Sequence, residues 1–245
     1  MSKQALIAAA AAAVLGSAVP AVSYADVAFN VGAVTDYRYR GISQTRVKPA
    51  LQGGIDYSNG GFYLGTWAST IKWIKDFGGD SDVEIDVYGG YKGSLTKDVS
   101  YDVGVLTYIY PSNKLKPITG ADADTTEIYG ALTYGPATLK YSHAVTDTFA
   151  NLDSKNSFYV DLSATFDLGG GLLLTPHVGY QKIKGPFSDP GSYTDYALTL
   201  SKDFSGLVVS GAIVGTDADK SFYSSPVNGK KLGEATVVLG VKYNF

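Results

Sequence analysis

Apolar and polar side chains alternate with a period of two along most of the chain. Residues 158–168 give the clearest example, because Phe158, Val160 and Leu162 alternate there with polar neighbours. A period of two is that of a β-strand with one apolar face, and no segment shows a convincing helical period of 3.6 residues. The pattern therefore predicts an all-β chain.

The alternation divides the chain into strands that are close to ten residues long. The twelve predicted strands lie at residues 27–40, 50–58, 61–70, 83–92, 99–110, 127–134, 137–145, 158–168, 172–181, 193–202, 207–216 and 234–245. In the third strand the parity leaves two orientations open, with either Phe62 and Leu64 or Tyr63 and Trp67 facing outward. Ten residues is about the length that a tilted strand needs to cross a bilayer.

The connections between these strands alternate between short and long. Five are tight turns, near residues 59–60, 93–98, 135–136, 169–171 and 203–206. Six are longer and polar, near residues 41–49, 72–82, 111–125, 147–156, 182–192 and 217–233. An even strand number, tight periplasmic turns and longer outer loops are typical of outer-membrane barrels. We therefore predict one transmembrane antiparallel β-barrel of twelve strands with extracellular long loops.

A soluble β-sandwich would show the same alternation, so the positions of the aromatic residues matter. Aromatic side chains at the ends of apolar faces suit the two interfaces of a membrane. The predicted girdle residues are Phe29, Tyr37, Tyr57, Phe166, Tyr180, Tyr196, Tyr243 and Phe245. They favour a barrel in the outer membrane of a Gram-negative bacterium over a sandwich.

Both ends of the chain agree with export to that membrane. Residues 1–25 have a basic residue, an apolar run from Ala5 to Leu15 and small residues before Ala25, which predicts a signal peptide cleaved between Ala25 and Asp26. The barrel domain is then residues 26–245. At the other end, alternating apolar residues finish in Tyr243 and Phe245, which resembles the signal read by the β-barrel assembly machinery.

Composition removes several classes of function. The chain has no cysteine, which excludes thiolate catalysis, disulfides and cysteine-bound metals. Its 20 basic and 23 acidic residues form no basic stripe, so nucleic acid is not an expected partner. No cofactor is expected.

Several sequence blocks together resemble a known family. They are NVGAVTDYRYRGISQT from Asn30, KPALQGGIDY from Lys48, GFYLGTWAS from Gly61, EIDVYGGY from Glu84, YDVGVLTYIYP from Tyr101 and TEIYGALTYG from Thr126. The chain is similar in these blocks, which span about half of residues 26–245, to the TorF family of proteobacterial outer-membrane proteins. The resemblance implies an outer-membrane barrel of porin type, and it carries over no catalytic or binding residue.

If the apolar face meets lipid, the other face lines a lumen. The candidate lumen-lining residues with charged side chains are Asp36, Arg38, Arg40, Asp56, Glu84, Asp86, Lys92, Asp102, Glu127, Lys140, Asp161, Asp195, Glu234 and Lys242. Nine of them are acidic and five basic. So many charges require a wet or internally paired interior. The set predicts a channel that passes small hydrophilic solutes with a weak preference for cations.

Three alternatives remain open. Arg38 and Arg40 could form salt bridges inside a filled lumen, which would make the protein a structural or adhesive barrel that acts through its outer loops. The second alternative is an outer-membrane hydrolase, but no lipase motif surrounds His143, which follows Ser142. The third concerns acidic pairs in the long loops, which could bind Ca²⁺ or link cations to lipopolysaccharide but are read more simply as solvated side chains. These pairs are Asp80 and Asp82, Asp122 and Asp124, and Asp217 and Asp219.

Overall fold

A computed structural model describes residues 26–245, which form a closed antiparallel β-barrel of twelve strands. The predicted signal peptide, including Ala25, lies outside these residues. The strands are β1 (Asp26–Val34), β2 (Ala50–Asn59), β3 (Phe62–Thr70), β4 (Val83–Ser94), β5 (Val99–Ile109), β6 (Thr125–Tyr134), β7 (Ala137–Ala144), β8 (Phe158–Ala164, continued by Phe166–Asp167), β9 (Leu172–Lys182), β10 (Tyr193–Phe204), β11 (Leu207–Thr216) and β12 (Thr236–Asn244).

Each strand pairs with its neighbour in sequence, and β12 pairs with β1 to close the sheet. At this seam Val31 lies opposite Tyr243, and Phe29 and Phe245 exchange two backbone hydrogen bonds of 2.9 and 3.0 Å. Closure leaves no free strand edge, which a sheet surrounded by hydrocarbon must avoid because lipid offers no hydrogen-bond partners. The predicted fold and strand number are therefore confirmed.

The connections also follow the predicted alternation. Tight turns join the strands at one end of the barrel, which also holds Asp26 and Phe245. The long connections at the other end carry three short helices, α1 (Trp73–Asp76), α2 (Lys116–Thr119) and α3 (Ser188–Gly191), with a 3₁₀ turn at Gly185–Phe187. In the described part of the chain, no helix has the length and apolarity of a membrane span.

The outer surface of the barrel is apolar because alternate side chains of each strand point away from the lumen. Residues such as Leu51, Leu162 and Val237 are about half exposed or more. The expected girdle residues other than Tyr37 are each at least 40% exposed, and Phe29 stacks on Phe245 with ring centroids 5.9 Å apart. This is the surface that a lipid-facing sheet requires.

The structure settles the orientation of β3, which parity left open. Phe62 and Leu64 face outward and are well exposed, whereas Trp67 faces the lumen and is 4% exposed. The indole packs edge-on against Tyr37, with ring centroids 5.4 Å apart. The aromatic contact inside the barrel accounts for the inward position of this large side chain.

One prediction about the first strand is wrong. Strand β1 ends at Val34 instead of continuing to Arg40, and Tyr37 is buried inside the barrel instead of joining the outer girdle. Residues 38–39 and 42–43 form a separate two-stranded hairpin. The alternation after Val34 is therefore that of a hairpin inside the lumen, which has the same period as a membrane strand.

The outward and inward faces of β10 provide a direct test of this arrangement. Replacing the outward Leu198, halfway along the strand, with Arg places a charge in hydrocarbon and should destabilise the barrel by about 2–4 kcal/mol. The same change at the neighbouring inward Thr199 should cost less, because its environment is polar. Urea titrations of the two refolded variants would measure the difference in the free energy of unfolding, with the folded fraction read from heat-modifiable migration in a gel. Equal losses would contradict the assigned faces.

Candidate functional site

The connection between β1 and β2 folds back into the barrel. We call residues 35–49 the plug. Its side chains are almost completely buried at several positions, among them Tyr37, Tyr39, Ile42, Ser43 and Thr45. The plug therefore fills the lumen at the end that carries the long connections.

The tip of the plug is a tight turn at Arg40 and Gly41. Both residues have positive φ angles, 46° and 78°, as the two central residues of a tight hairpin turn often do. A side chain at Gly41 would lie 2.4 Å from Cγ2 of Thr216 and 2.9 Å from Cβ of Asp195. The sequence needs glycine there because the tip presses against β10 and β11 of the barrel wall.

The guanidinium of Arg40 is the centre of the polar contacts in the lumen. It donates to both carboxylate oxygens of Glu127, at 3.0 and 2.7 Å, and to Oε1 of Gln181 at 2.6 Å. Its Cζ atom lies 4.2 Å from the ring centroid of Tyr159 and 4.7 Å from that of Tyr39. A two-point carboxylate contact with an aromatic face is a strong arrangement for a buried guanidinium.

Further hydrogen bonds join the plug to the barrel wall, and others form within the plug. The hydroxyl of Tyr37 donates to Glu84 at 2.5 Å, and Tyr110 donates to the other oxygen of that carboxylate at 2.8 Å. Arg38 pairs with Asp36 at 2.6 Å and also donates to the carbonyl oxygen of Leu232 at 2.8 Å. Of the charged plug residues, Asp36, Arg38 and Arg40 therefore all have partners.

The long connections cover the plug from the outside. Ile71, Ile74 and Leu115 are fully buried, and they belong to the same cluster as Tyr37 and Tyr39 of the plug. This half of the barrel therefore has the packed interior of a globular protein.

The other half of the lumen contains tyrosines and charged side chains in pairs. Tyr63 donates to Asp102 at 2.6 Å, and Tyr88 donates to Asp56 at 2.5 Å. The ammonium of Lys140 lies 4.0 Å from the ring centroid of Tyr129. A polar interior of this kind is the environment that porin-type barrels have.

A second ionisable cluster lies next to the plug tip. His177 Nε2 is 2.6 Å from Asp161, and its Nδ1 is 3.6 Å from Asp195. The hydroxyl of Tyr159 donates to Asp195 at 2.9 Å, so the ring that contacts Arg40 is held by this cluster. His177 lies on β9, whereas Asp161 and Tyr159 lie on β8 and Asp195 on β10, so no pattern within one strand indicates these contacts.

Two carboxylate oxygens in the lumen lack a partner. Asp56 Oδ2 and Asp86 Oδ1 are shielded from solvent, and neither accepts a hydrogen bond from the described residues. Within residues 26–245, Glu84, two residues before Asp86, has two tyrosine donors and no basic partner. The β2 to β4 side of the lumen therefore has an excess of negative charge.

The structure distributes the candidate lumen residues over three places. On inward positions of the barrel strands it puts Asp56, Glu84, Asp86, Lys92, Asp102, Glu127, Lys140, Asp161, Asp195 and Lys242. Asp36, Arg38 and Arg40 lie in the plug instead of on β1. Glu234 is the exception to the lumenal placement, because its side chain is 55% exposed at the rim beside Lys220. Sequence reasoning missed Gln181 as a partner of Arg40.

His143 does not assemble a serine hydrolase site. It faces outward and contacts Asn156 Oδ1 at 3.2 Å and the hydroxyl of Tyr141 at 3.1 Å. Ser142 faces the lumen and is 3% exposed, so its hydroxyl lies on the other side of the sheet. The nucleophile and base that such a site requires are therefore on opposite faces.

The acidic pairs of the long loops have protein partners. Asp80 accepts from Lys114 and Asp82 from Lys75, both at 2.8 Å, and each ammonium lowers the pKa of its carboxyl partner. Asp219 accepts from the hydroxyl and backbone of Ser221, which also lowers its pKa. Within residues 26–245, no three His, Asp or Glu side chains are placed to hold a metal ion.

Comparisons with known proteins agree with this architecture. The profile of a family described as "Bacterial protein of unknown function (Gcw_chp)" matches residues 18–245. No curated protein sequence matches the chain.

Among solved structures, the KdgM porin has a TM-score of 0.58 at 9% identity, with 89% of this chain and 99% of that chain covered. The NanC porin has a TM-score of 0.55 at 11% identity, with 90% and 99% covered. A structure described as the KdgM porin in complex with disordered oligogalacturonate has a TM-score of 0.55 at 9% identity, with 91% and 99% covered. The chain therefore shares the fold of these porins.

The contacts of Arg40 predict a large effect of its removal on stability. In an Arg40→Ala variant, Glu127 would remain buried without its positive partner, which should cost about 3–5 kcal/mol. Lys114→Ala is the matched control, since it breaks the exposed pair with Asp80 and should change stability little. Urea unfolding of both refolded variants would compare them. A loss no larger for Arg40→Ala than for the control would contradict the role assigned to Arg40.

Proposed function

We propose that this chain, which belongs to the Gcw_chp family of bacterial proteins of unknown function, is an outer-membrane channel of porin type. It passes small hydrophilic solutes by diffusion, and the plug closes it at the outer end. The observation that carries the proposal is the combination of an apolar outer wall with a lumen lined by charged residues on most strands. A barrel that only anchored loops would not need those charges, which are costly to bury.

The ends of the barrel support an orientation and a location. Outer-membrane barrels have their tight turns on the periplasmic side, so the plug and the long connections face the cell exterior. Tyr243 and Phe245 are exposed and aromatic at the end of β12, as suits recognition by the β-barrel assembly machinery. Lipid and lipopolysaccharide would contact the apolar wall in the outer membrane of a Gram-negative bacterium. The TorF resemblance supports the same type of protein.

The charge of the lumen argues for a weak preference for cations. Without Glu234, eight acidic and five basic candidates remain in the lumen, an excess of three negative charges. Carboxylates along a passage favour the entry of cations. The oligogalacturonate of the KdgM complex is an anion, and we do not extend that ligand to a lumen with this charge.

The packed plug favours a second candidate function. A lumen filled by Tyr37, Tyr39 and Arg40 would suit a non-conducting structural or adhesive barrel that acts through its outer loops. The two functions differ in whether the passage conducts once the plug is absent.

The strand register makes a clean removal of the plug feasible. Val34 and Ala50 are opposite one another at the ends of β1 and β2, so residues 35–49 can be replaced by Asn-Gly, which forms a two-residue hairpin turn. In planar bilayers, we expect the refolded variant to show conductance steps of larger amplitude and longer open duration than the unaltered protein. The matched control replaces residues 182–192 between the paired Gln181 and Tyr193 and retains the plug.

A folded, heat-modifiable barrel that stays silent without its plug would favour the structural role over the channel.

The acidic wall predicts the ion selectivity of the variant without the plug. Asp86→Asn in that background should shift the reversal potential across a KCl gradient toward that of an unselective pore, because it removes an unpaired lumenal charge. Asp80→Asn, in an outer loop, is the control and should leave the potential unchanged. An identical reversal potential in both variants would argue against selection by this wall.

A further inference from the structure

The site that holds Arg40 is built almost entirely by the barrel wall. Glu127 lies on β6, Tyr159 on β8 and Gln181 on β9. Of the described residues that contact the guanidinium, only Tyr39 comes from the plug itself. Arg40 reaches these residues from a hairpin that the chain has folded into the lumen. Withdrawal of the hairpin would leave a carboxylate, a carbonyl oxygen and an aromatic face exposed to the passage.

Two of the wall residues, Gln181 and Tyr159, are held in position by contacts that do not involve the plug. The side-chain nitrogen of Gln181 donates to the carbonyl oxygens of Phe158 and Lys182, at 3.1 and 3.3 Å, which directs its own carbonyl toward the site. The hydroxyl of Tyr159 is fixed by Asp195 at 2.9 Å. Tyr108 donates to Glu127 at 3.4 Å. Gln181 and Tyr159 are therefore preorganised by the wall, whereas Tyr108 also accepts a hydrogen bond of 2.7 Å from Tyr39 of the plug.

The geometry selects a planar cation. Glu127 accepts two hydrogen bonds from one guanidinium, Gln181 accepts a third, and the ring of Tyr159 lies against the guanidinium carbon. A guanidinium presents several donors in one plane and an aromatic-stacking face, whereas an ammonium is a compact charge without either. The nearby carboxylates of Asp161 and Asp195 also favour a cation over an anion.

We infer that Glu127, Gln181 and Tyr159 form a lumenal binding site for the guanidinium group of a small solute. In this structure Arg40 occupies the site as a built-in substitute for that ligand. A guanidinium solute competes with Arg40 and thereby loosens the plug. The binding site is independent of the proposed channel function, and only the consequence for solute passage rests on it.

Binding can be measured on protein whose site is empty. Methylguanidinium titrated calorimetrically into detergent-refolded Arg40→Ala should bind, and methylurea, its neutral analogue, should not. Arg40→Ala combined with Glu127→Gln should bind about tenfold or more weakly, because the charge-assisted pair of hydrogen bonds is lost. The barrel in which Asn-Gly replaces residues 35–49 also has an empty site, and it serves if Arg40→Ala does not fold.

No binding by these folded variants, or equal binding of methylurea, would overturn the assignment. This result is separate from conduction, since a silent barrel can still bind methylguanidinium.

Competition with Arg40 needs its own readout. Even if Arg40 had a purely structural role, methylguanidinium could fill the space that its side chain leaves in Arg40→Ala. The chain has no cysteine, so Ile42→Cys puts a single thiol on the buried plug. With Arg40 retained, methylguanidinium should accelerate maleimide labelling of this thiol, and methylurea at the same concentration should not. An unchanged labelling rate would mean that Arg40 is a structural tie only and would overturn the competition.

Discussion

The closed sheet is the constraint on which the rest of the structure depends. Hydrocarbon cannot satisfy backbone N–H and C=O groups, so β1 must pair with β12, and the pairing fixes which side chains face lipid and which face inward. Once the sheet is closed, every polar residue on the inner face shares one enclosed space. The charges of that space must then be paired with one another or kept wet.

In the outer half of the barrel, the plug fills the enclosed space and supplies partners for charged wall residues. Twelve strands enclose more volume than their own inward side chains fill in this half, and the hairpin at residues 38–43 supplies the missing packing. It also supplies positive charge: Arg40 meets Glu127, and Arg38 meets Asp36 within the plug. Among residues 26–245, the inner half has no such insertion, and Asp56 keeps an oxygen without a donor there. Asp86 also keeps an oxygen without a donor, but it lies in the outer half, opposite Trp67 and Tyr108.

The strands could be predicted from sequence because their signal is local. Alternation reports the two faces of a strand directly, and the lengths of the connections report the two ends of the barrel. The plug could not be separated from β1 in this way, since Tyr37 and Tyr39 continue the same alternation inside the lumen that Val27 and Val31 show outside it. Likewise, Arg40 meets Glu127 and Gln181 across 87 and 141 residues, a separation at which no sequence pattern records contact.

Because Arg40 pairs with Glu127, the position of the plug depends on whether another group can take the place of Arg40 at the Glu127 carboxylate. A buried ion pair gains little over apolar packing, whereas a buried carboxylate left without its partner is costly. Movement of the plug therefore needs a substitute partner at Glu127, and water or a cation in the passage can serve. The carbonyl of Gln181 and the ring of Tyr159 make a guanidinium the best of these substitutes, because they match its plane as well as its charge.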